Sequence, residues 1–257
     1  MSENYPEFIG RIKRKLGIDL SLYKEAQMKR RIISLRNKRG YKDFNTYYEA
    51  LNKDSELLSE FTDRLTINVS EFFRNPQRWE VLKNKVIPSV SKGKTRLNIW
   101  SAACSTGEEP YSLSILMKEY FPALKVNILA TDIDENILAR AKQGIYQKQS
   151  LKELPSGLEK KYFVEKNGLF EVNRDVRQLI EFKKHNLLAD RYPRDLDLIV
   201  CRNVLIYFTD EAKSVIYQNF SNSLKQNGIL FVGSTEQIFS AEQYGFSLFD
   251  TFFYQKA

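Results

Sequence analysis

The chain has 257 residues, 42% of them hydrophobic and 28% charged, with one histidine and two cysteines; these ordinary globular values suit one large domain, or one with a small companion, and exclude a disordered or collagen-like chain. Apolar runs such as Ile229-Leu230-Phe231-Val232 fall far short of the roughly 18 residues a membrane span needs, Met1-Ser2-Glu3-Asn4-Tyr5-Pro6 lacks a signal-peptide pattern, and Cys104 and Cys201 suit free thiols in a reducing cytoplasm, where the protein is expected. The net charge of +8 is uneven: residues 1–94 hold 20 basic and 12 acidic side chains while 95–257 hold 20 of each, an asymmetry that points to an acidic partner.

Residues 1–90 read as an all-helical unit, with helices at 7–16, 22–39, 44–51, 55–65 and 76–86, the last ending before Pro88; Gly17 and Gly40 are placed to close the first two. Along the second helix Lys24, Arg31 and Lys38 recur every seven residues and Arg30 lies close by, which gathers a basic face. Lys29 and Arg36 fall inside its apolar arc. Ser91-Lys92-Gly93-Lys94 reads as a linker. Beyond it, strands at 97–101, 126–131, 196–201, 229–232 and 252–254 alternate with helices at 110–120, 135–142 and 211–224, which predicts an α/β fold over 91–257 with a mostly parallel sheet. The interval 146–182 breaks the rhythm. Its short strands at 170–172 and 179–182 read as an inserted β-unit.

In an open parallel sheet, ligands sit beyond the carboxyl ends of the strands. The first strand runs into Ser101-Ala102-Ala103-Cys104-Ser105-Thr106-Gly107-Glu108-Glu109-Pro110, small residues that admit a ligand close to the backbone but do not form the G-x-G-x-x-G of a pyrophosphate loop. The next strand ends at Asp132, where a carboxylate can accept hydrogen bonds from ribose hydroxyls. A small-residue turn with such an acid and no phosphate loop fits a phosphate-free adenosine ligand, and S-adenosylmethionine is the expected cofactor. Asp134 reads as a helix cap. One histidine and two distant cysteines make no zinc site, and no metal is expected.

Six segments carry a closer likeness: Asn68-Val69-Ser70-Glu71-Phe72-Phe73-Arg74, the 101–112 turn ending in Tyr111-Ser112, Ala130-Thr131-Asp132-Ile133-Asp134, Asn186-Leu187-Leu188, Cys201-Arg202-Asn203-Val204-Leu205-Ile206-Tyr207-Phe208, and Phe231-Val232-Gly233-Ser234-Thr235-Glu236. In order and across nearly the whole chain they resemble the motifs of the CheR family, the S-adenosylmethionine-dependent methyltransferases of bacterial chemoreceptors. The resemblance implies a class I, Rossmann-like methyltransferase with a small all-helical N-terminal domain (1–90), a methyltransferase domain (91–257) and an inserted β-subdomain (146–182). It implies that Asn68, Ser70 and Arg74 contact the cofactor from the domain junction, Ser70 standing where the family often has Thr and Arg74 suiting the methionine carboxylate. Glu108 is implied at the methionine amine, Asp132 at the ribose, Asn186 and Leu187 at the adenine, and Arg202 and Asn203 beside the sulfonium. Tyr207, with Arg202, is implied as catalytic and nearest the substrate.

The implied reaction is methyl transfer to glutamate side chains on chemoreceptor cytoplasmic helices, giving methyl esters and S-adenosylhomocysteine, in adaptation during chemotaxis. A carboxylate, with a reference pKa of about 4.3, is already ionised at neutral pH and needs no general base, so positioning dominates. Lys24, Arg30, Arg31 and Lys38 are then expected to dock an acidic receptor helix. Some members bind a receptor's C-terminal pentapeptide through a Gly-Gly loop; Glu165-Lys166-Asn167-Gly168-Leu169-Phe170 has no such pair, so a pentapeptide-independent enzyme is expected. A monomer is expected, with neither nucleic acid nor membrane insertion. A methyltransferase of nucleic acid is the second reading, against which stands the lack of an N-P-P-Y or D-P-P-Y motif and of interleaved basic and aromatic runs. A receptor-docking cofactor sensor is the third, against which weigh the intact Arg74, Asp132 and Arg202-Asn203.

Overall fold

The computed structural model describes residues 4–65 and 70–257. Its contacts divide the chain into two units, one of residues 1–67 with 205–216 and the other of 68–204 with 217–257.

The smaller unit contains α1 (Tyr5–Leu16), α2 (Glu25–Lys38), α3 (Phe44–Lys53) and α4 (Ser55–Leu65). Asn4 and Asp43 cap α1 and α3 by accepting from the Glu7 and Thr46 N–H groups, and Gly17, at φ +71, closes α1. α2 starts at Glu25 because Leu20–Leu22 forms a separate 3-10 turn capped by Asp19. The core is aromatic: the Phe8 ring meets Phe44 at 4.9 Å and Tyr47 and Phe61 at 6.1 Å. Arg36, a basic residue in the apolar arc of α2, is 5% exposed with its guanidinium 4.9 Å from the Phe44 ring, so it is absorbed as a stacked cation.

The larger unit opens with α5 (Pro76–Val81), which runs through a π-helical turn (Leu82–Val86) into α6 (Ile87–Ser91). The sequence suggests a stop before Pro88. The π turn instead shifts the hydrogen-bond register, and Pro88, which has no N–H to donate, falls in the first turn of α6. Residues 76–91 are helical, yet Trp79, Leu82, Val86 and Val90, with Phe72 in the turn before them, share a core with Leu97, Ile99 and Leu198. The change of pattern at 91–94 marks a change of secondary structure, whereas contacts divide the chain at 67/68.

There follow β1 (Arg96–Ala102), α7 (Glu108–Tyr120), β2 (Lys125–Asp132), α8 (Glu135–Gln143), β3 (Ile145–Gln147), α9 (Leu158–Tyr162), β4 (Phe163–Lys166), β5 (Leu169–Val172), α10 (Arg174–Arg177), β6 (Ile180–Lys184), β7 (Leu196–Cys201), α11 (Asp210–Ser223), β8 (Leu224–Val232), β9 (Phe246–Asp250) and β10 (Phe253–Lys256). The main sheet has the order β6-β2-β1-β7-β8-β10-β9 and is parallel except where β10 pairs with β8 and β9. All six residues of β7 are buried, as expected of a strand covered on both faces. Strand order reverses at β1, which pairs with both β2 and β7, and this switch point is where an open α/β sheet receives its ligand.

One expectation is corrected. The strand at 179–182 does not belong to the insert: as β6 it pairs in parallel with β2, from Ile128↔Ile180 to Asp132↔Lys184. A short apolar run reads alike in either sheet, and only its partner decides. The inserted sheet is the antiparallel β3-β5-β4, whose last hairpin turns at Asn167 and Gly168 (φ +52 and +75).

Candidate active site

At the switch point the turn after β1 is built by small residues in left-handed conformations, with Ala103, Ser105 and Gly107 at φ +59, +50 and +95. It is pinned to the end of β2: Cys104 N–H donates to the Thr131 carbonyl (2.8 Å) and Ser105 N–H to Asp132 Oδ2 (2.9 Å). Gly107 is required twice over, by its φ and because an added Cβ would lie 3.0 Å from Ala141 Cβ and from Tyr146 Oη. Asp132, 6% exposed, also accepts from Asp134 N–H (3.1 Å). Burial pushes its pKa up, against the pull of these N–H groups. Asp134 caps α8, accepting from Asn136 and Ile137 N–H, as the sequence suggests.

Two acids head α7. Glu108 is buried and accepts from Thr106 Oγ1 (2.6 Å) and from the Ser70 hydroxyl; desolvation raises its pKa. Glu109, which sequence reasoning passed over, accepts from Ser101 Oγ (2.8 Å) and faces Arg202 across 3.6 Å. The Glu-Glu doublet was the available signal, but only helix register shows that the two side chains take different partners. Burial raises Glu109 as well, opposed by Arg202.

The Arg202 side chain is 3% exposed. Its Nη2 donates to the Arg74 carbonyl (2.8 Å) and to Asn75 Oδ1 (2.9 Å), and its plane lies 4.7 Å from the Phe231 ring. Through Nη2 the guanidinium holds the turn before α5, where Asn75 sits at φ +61. Asn203, also at φ +61, donates its N–H to Glu236 Oε2 (2.6 Å). His185 N–H donates to the Asp132 carbonyl (2.9 Å), which brings the following Asn186 and Leu187 to the end of β2. Asn186 Oδ1 accepts from Leu188 N–H and closes its own turn. The structure thus joins Ser70 to Glu108, Arg74 to Arg202, and Asp132 to the 185–187 turn. Asn68 lies outside the described residues.

Burial pushes the Cys104 thiol well above its usual range and lowers His185, whose ring packs on Trp100 and Tyr192. Neither environment activates a nucleophile or a base.

Tyr207 and the basic residues belong to the smaller unit. Tyr207 ends a 3-10 turn (Leu205–Tyr207), is half-buried, and its carbonyl accepts from Lys24 N–H (2.9 Å) at the start of α2; Tyr23 bridges to Phe208 beside it. Lys24, Arg30 and Lys38 are exposed. Arg31 is half-buried and donates to the Leu65 carbonyl (2.7 Å).

Comparison with known families matches residues 3–66 to the model "CheR methyltransferase, all-alpha domain" and residues 68–252 to "CheR methyltransferase, SAM binding domain". A chemotaxis protein methyltransferase of Listeria innocua is 47% identical over 259 residues, covering 100% of this chain and 98% of its own length. Its counterpart in Listeria monocytogenes is 46% identical over the same span. A chemotaxis protein methyltransferase of Borreliella burgdorferi is 35% identical over 236 residues, 86% of this chain and 83% of its own.

Proposed function

Because the chain belongs to the CheR methyltransferase family, we propose that it is a protein-glutamate O-methyltransferase that esterifies glutamate carboxylates on the cytoplasmic helices of chemoreceptors. The observation that carries this reading is the small, left-handed turn after β1, tied to Asp132 at the switch point. Its donor set fits S-adenosylmethionine: Asp132 suits ribose hydroxyls, Glu108 an ammonium, and no glycine-rich phosphate loop is present. Asn68, Ser70, Arg74, Asn186, Leu187 and Asn203 complete the proposed set, and Glu109 joins it through Arg202.

When bound, the cofactor supplies a methyl group on a sulfonium, which passes to a carboxylate oxygen and leaves S-adenosylhomocysteine. The chain's own residues have to position rather than to ionise, since the acceptor is already anionic at neutral pH. Arg202 acts by holding the Arg74–Asn75 turn. Tyr207 is the hydroxyl proposed to orient the acceptor, and Lys24, Arg30 and Lys38 the cations that attract an acidic helix. The insert, lacking a Gly-Gly pair, is read as independent of a receptor pentapeptide. We further propose a monomer working in the cytoplasm; no helix among the described residues is long and apolar enough to cross a membrane. Incubation with methyl-labelled S-adenosylmethionine and receptor-bearing membranes, followed by mild alkali, should release labelled methanol from the receptor band. Label that survives alkali would identify N-methylation and reject the ester.

A further inference from the structure

One buried carboxylate outside the residues assigned above joins two strand ends. Glu236 lies in the Gly233-Ser234-Thr235-Glu236 turn after β8 and is 4% exposed. Its Oε2 accepts from Asn203 N–H at 2.6 Å and from Gly233 N–H at 2.8 Å, so a single oxygen closes the turn after β7 onto the turn after β8. The Glu236 N–H returns to the Gly233 carbonyl (3.0 Å) and makes the second turn self-contained. Asn203 sits at φ +61, a left-handed conformation that asparagine adopts more readily than most side chains, and the carboxylate bond holds its backbone there. Gly233 shows how closely the parts fit: an added Cβ would stand 2.5 Å from Glu236 Oε2 and 2.8 Å from Asn203 N.

We propose that Glu236 is a positioning residue of the methyl-transfer site, fixing the backbone of Asn203, and with it the Arg202–Asn203 rim, in the geometry that receives the cofactor. It acts through the Asn203 N–H and not by touching the cofactor. The inference rests on the reading of Asn203 as a cofactor residue. Loss of the carboxylate would leave one buried and one partly buried N–H donor without their acceptor, a drive for the turn to rearrange.

The test measures S-adenosylhomocysteine affinity by calorimetry, with thermal unfolding followed in parallel on the full chain. Glu236→Ala should weaken binding about tenfold or more. Glu236→Gln, whose amide oxygen can take the same two N–H groups, should recover most of that loss. Gly233→Ala should reproduce the loss with the carboxylate still present. Val90→Ala, in the core and outside the site, serves as the stability control. The double variant Glu236→Ala/Asn203→Ala should lose less affinity than the two single losses summed, because Glu236 acts in part through the Asn203 side chain that it positions. Affinity in Glu236→Ala that matches the parent, or falls no further than in Val90→Ala at comparable stability, overturns the proposal, as does full additivity in the double variant. If Glu236→Ala does not fold, parent-like affinity in Gly233→Ala overturns it equally. If Asn203→Ala itself leaves affinity unchanged, the failure lies in the reading of Asn203, and the role given to Glu236 falls with it.

Discussion

Glu108, Glu109 and Asp132 are all withdrawn from water, and burial makes each hold its proton more tightly than a free carboxyl group. The same withdrawal is what gives their charge strength toward an entering ammonium or hydroxyl, since little solvent competes. For stability the sign runs the other way from that of a salt-bridged acid. A raised folded pKa favours the folded state fully below the unfolded value, 4.5 for Glu108, and that contribution is lost as pH rises through the higher folded value. Glu108→Gln keeps an acceptor for the Thr106 and Ser70 hydroxyls and removes the titration. Without cofactor, its melting temperature should gain on the parent's as pH climbs from about 4 to about 8. Its affinity for S-adenosylhomocysteine should fall about tenfold as the anion proposed to face the amine is lost. A difference in melting temperature that stays flat with pH would show that Glu108 titrates as a free side chain does.

At the scale of elements, α2 shows what periodicity can and cannot convey. The seven-residue spacing finds the basic face, but Arg31 on that face is bound to the Leu65 carbonyl, and Arg36 in the apolar arc is stacked on Phe44. Spacing fixes direction around a helix; what packs against that direction comes from elsewhere in the chain. Lys24→Glu with Lys38→Glu should therefore raise KM for receptor about tenfold while kcat and S-adenosylhomocysteine affinity hold. Arg31→Glu should instead cost stability, about 1–3 kcal/mol by chemical denaturation, because it leaves a partly buried carbonyl without its donor. An unchanged receptor KM in the lysine pair would remove α2 from docking. The same division governs the rest of the fold. Helix caps at Gly17 and Asp134, and the buried run of β7, were legible because neighbouring residues determine them. The membership of β6 was not, because it depends on β2, far back in the chain; the π turn before Pro88 and the strand β9, which pairs with the adjacent β10, left no periodic signal of their own. Within the site, the turn after β1 and Asp132 could be read from strand ends, whereas the separate partners of Glu108 and Glu109 required the packed structure.

Over the whole molecule, two partitions of the same chain answer different questions. Contacts assign residues 70–90 to the larger unit, where Phe72, Phe73, Trp79, Leu82, Val86, Ile87 and Val90 complete its core. Charge sets residues 1–94 apart, since they hold the entire excess of eight positive charges. A core is a matter of short-range contact, but the field of a surplus charge reaches about 10 Å at 0.1 M salt and acts before any contact forms. If that field guides an acidic receptor, salt should weaken receptor binding far more than cofactor binding, because the carboxylates proposed to hold the cofactor, Glu108 and Asp132, are buried and poorly screened. Raising ionic strength from about 0.05 to about 0.3 M should increase KM for receptor several-fold and change S-adenosylhomocysteine affinity less than about twofold. The Lys24→Glu/Lys38→Glu variant should show a shallower dependence, because part of the attraction being screened is already gone. Parallel slopes for receptor and cofactor, or an equally steep receptor slope in the variant, would mean that the basic excess serves solubility and not recognition.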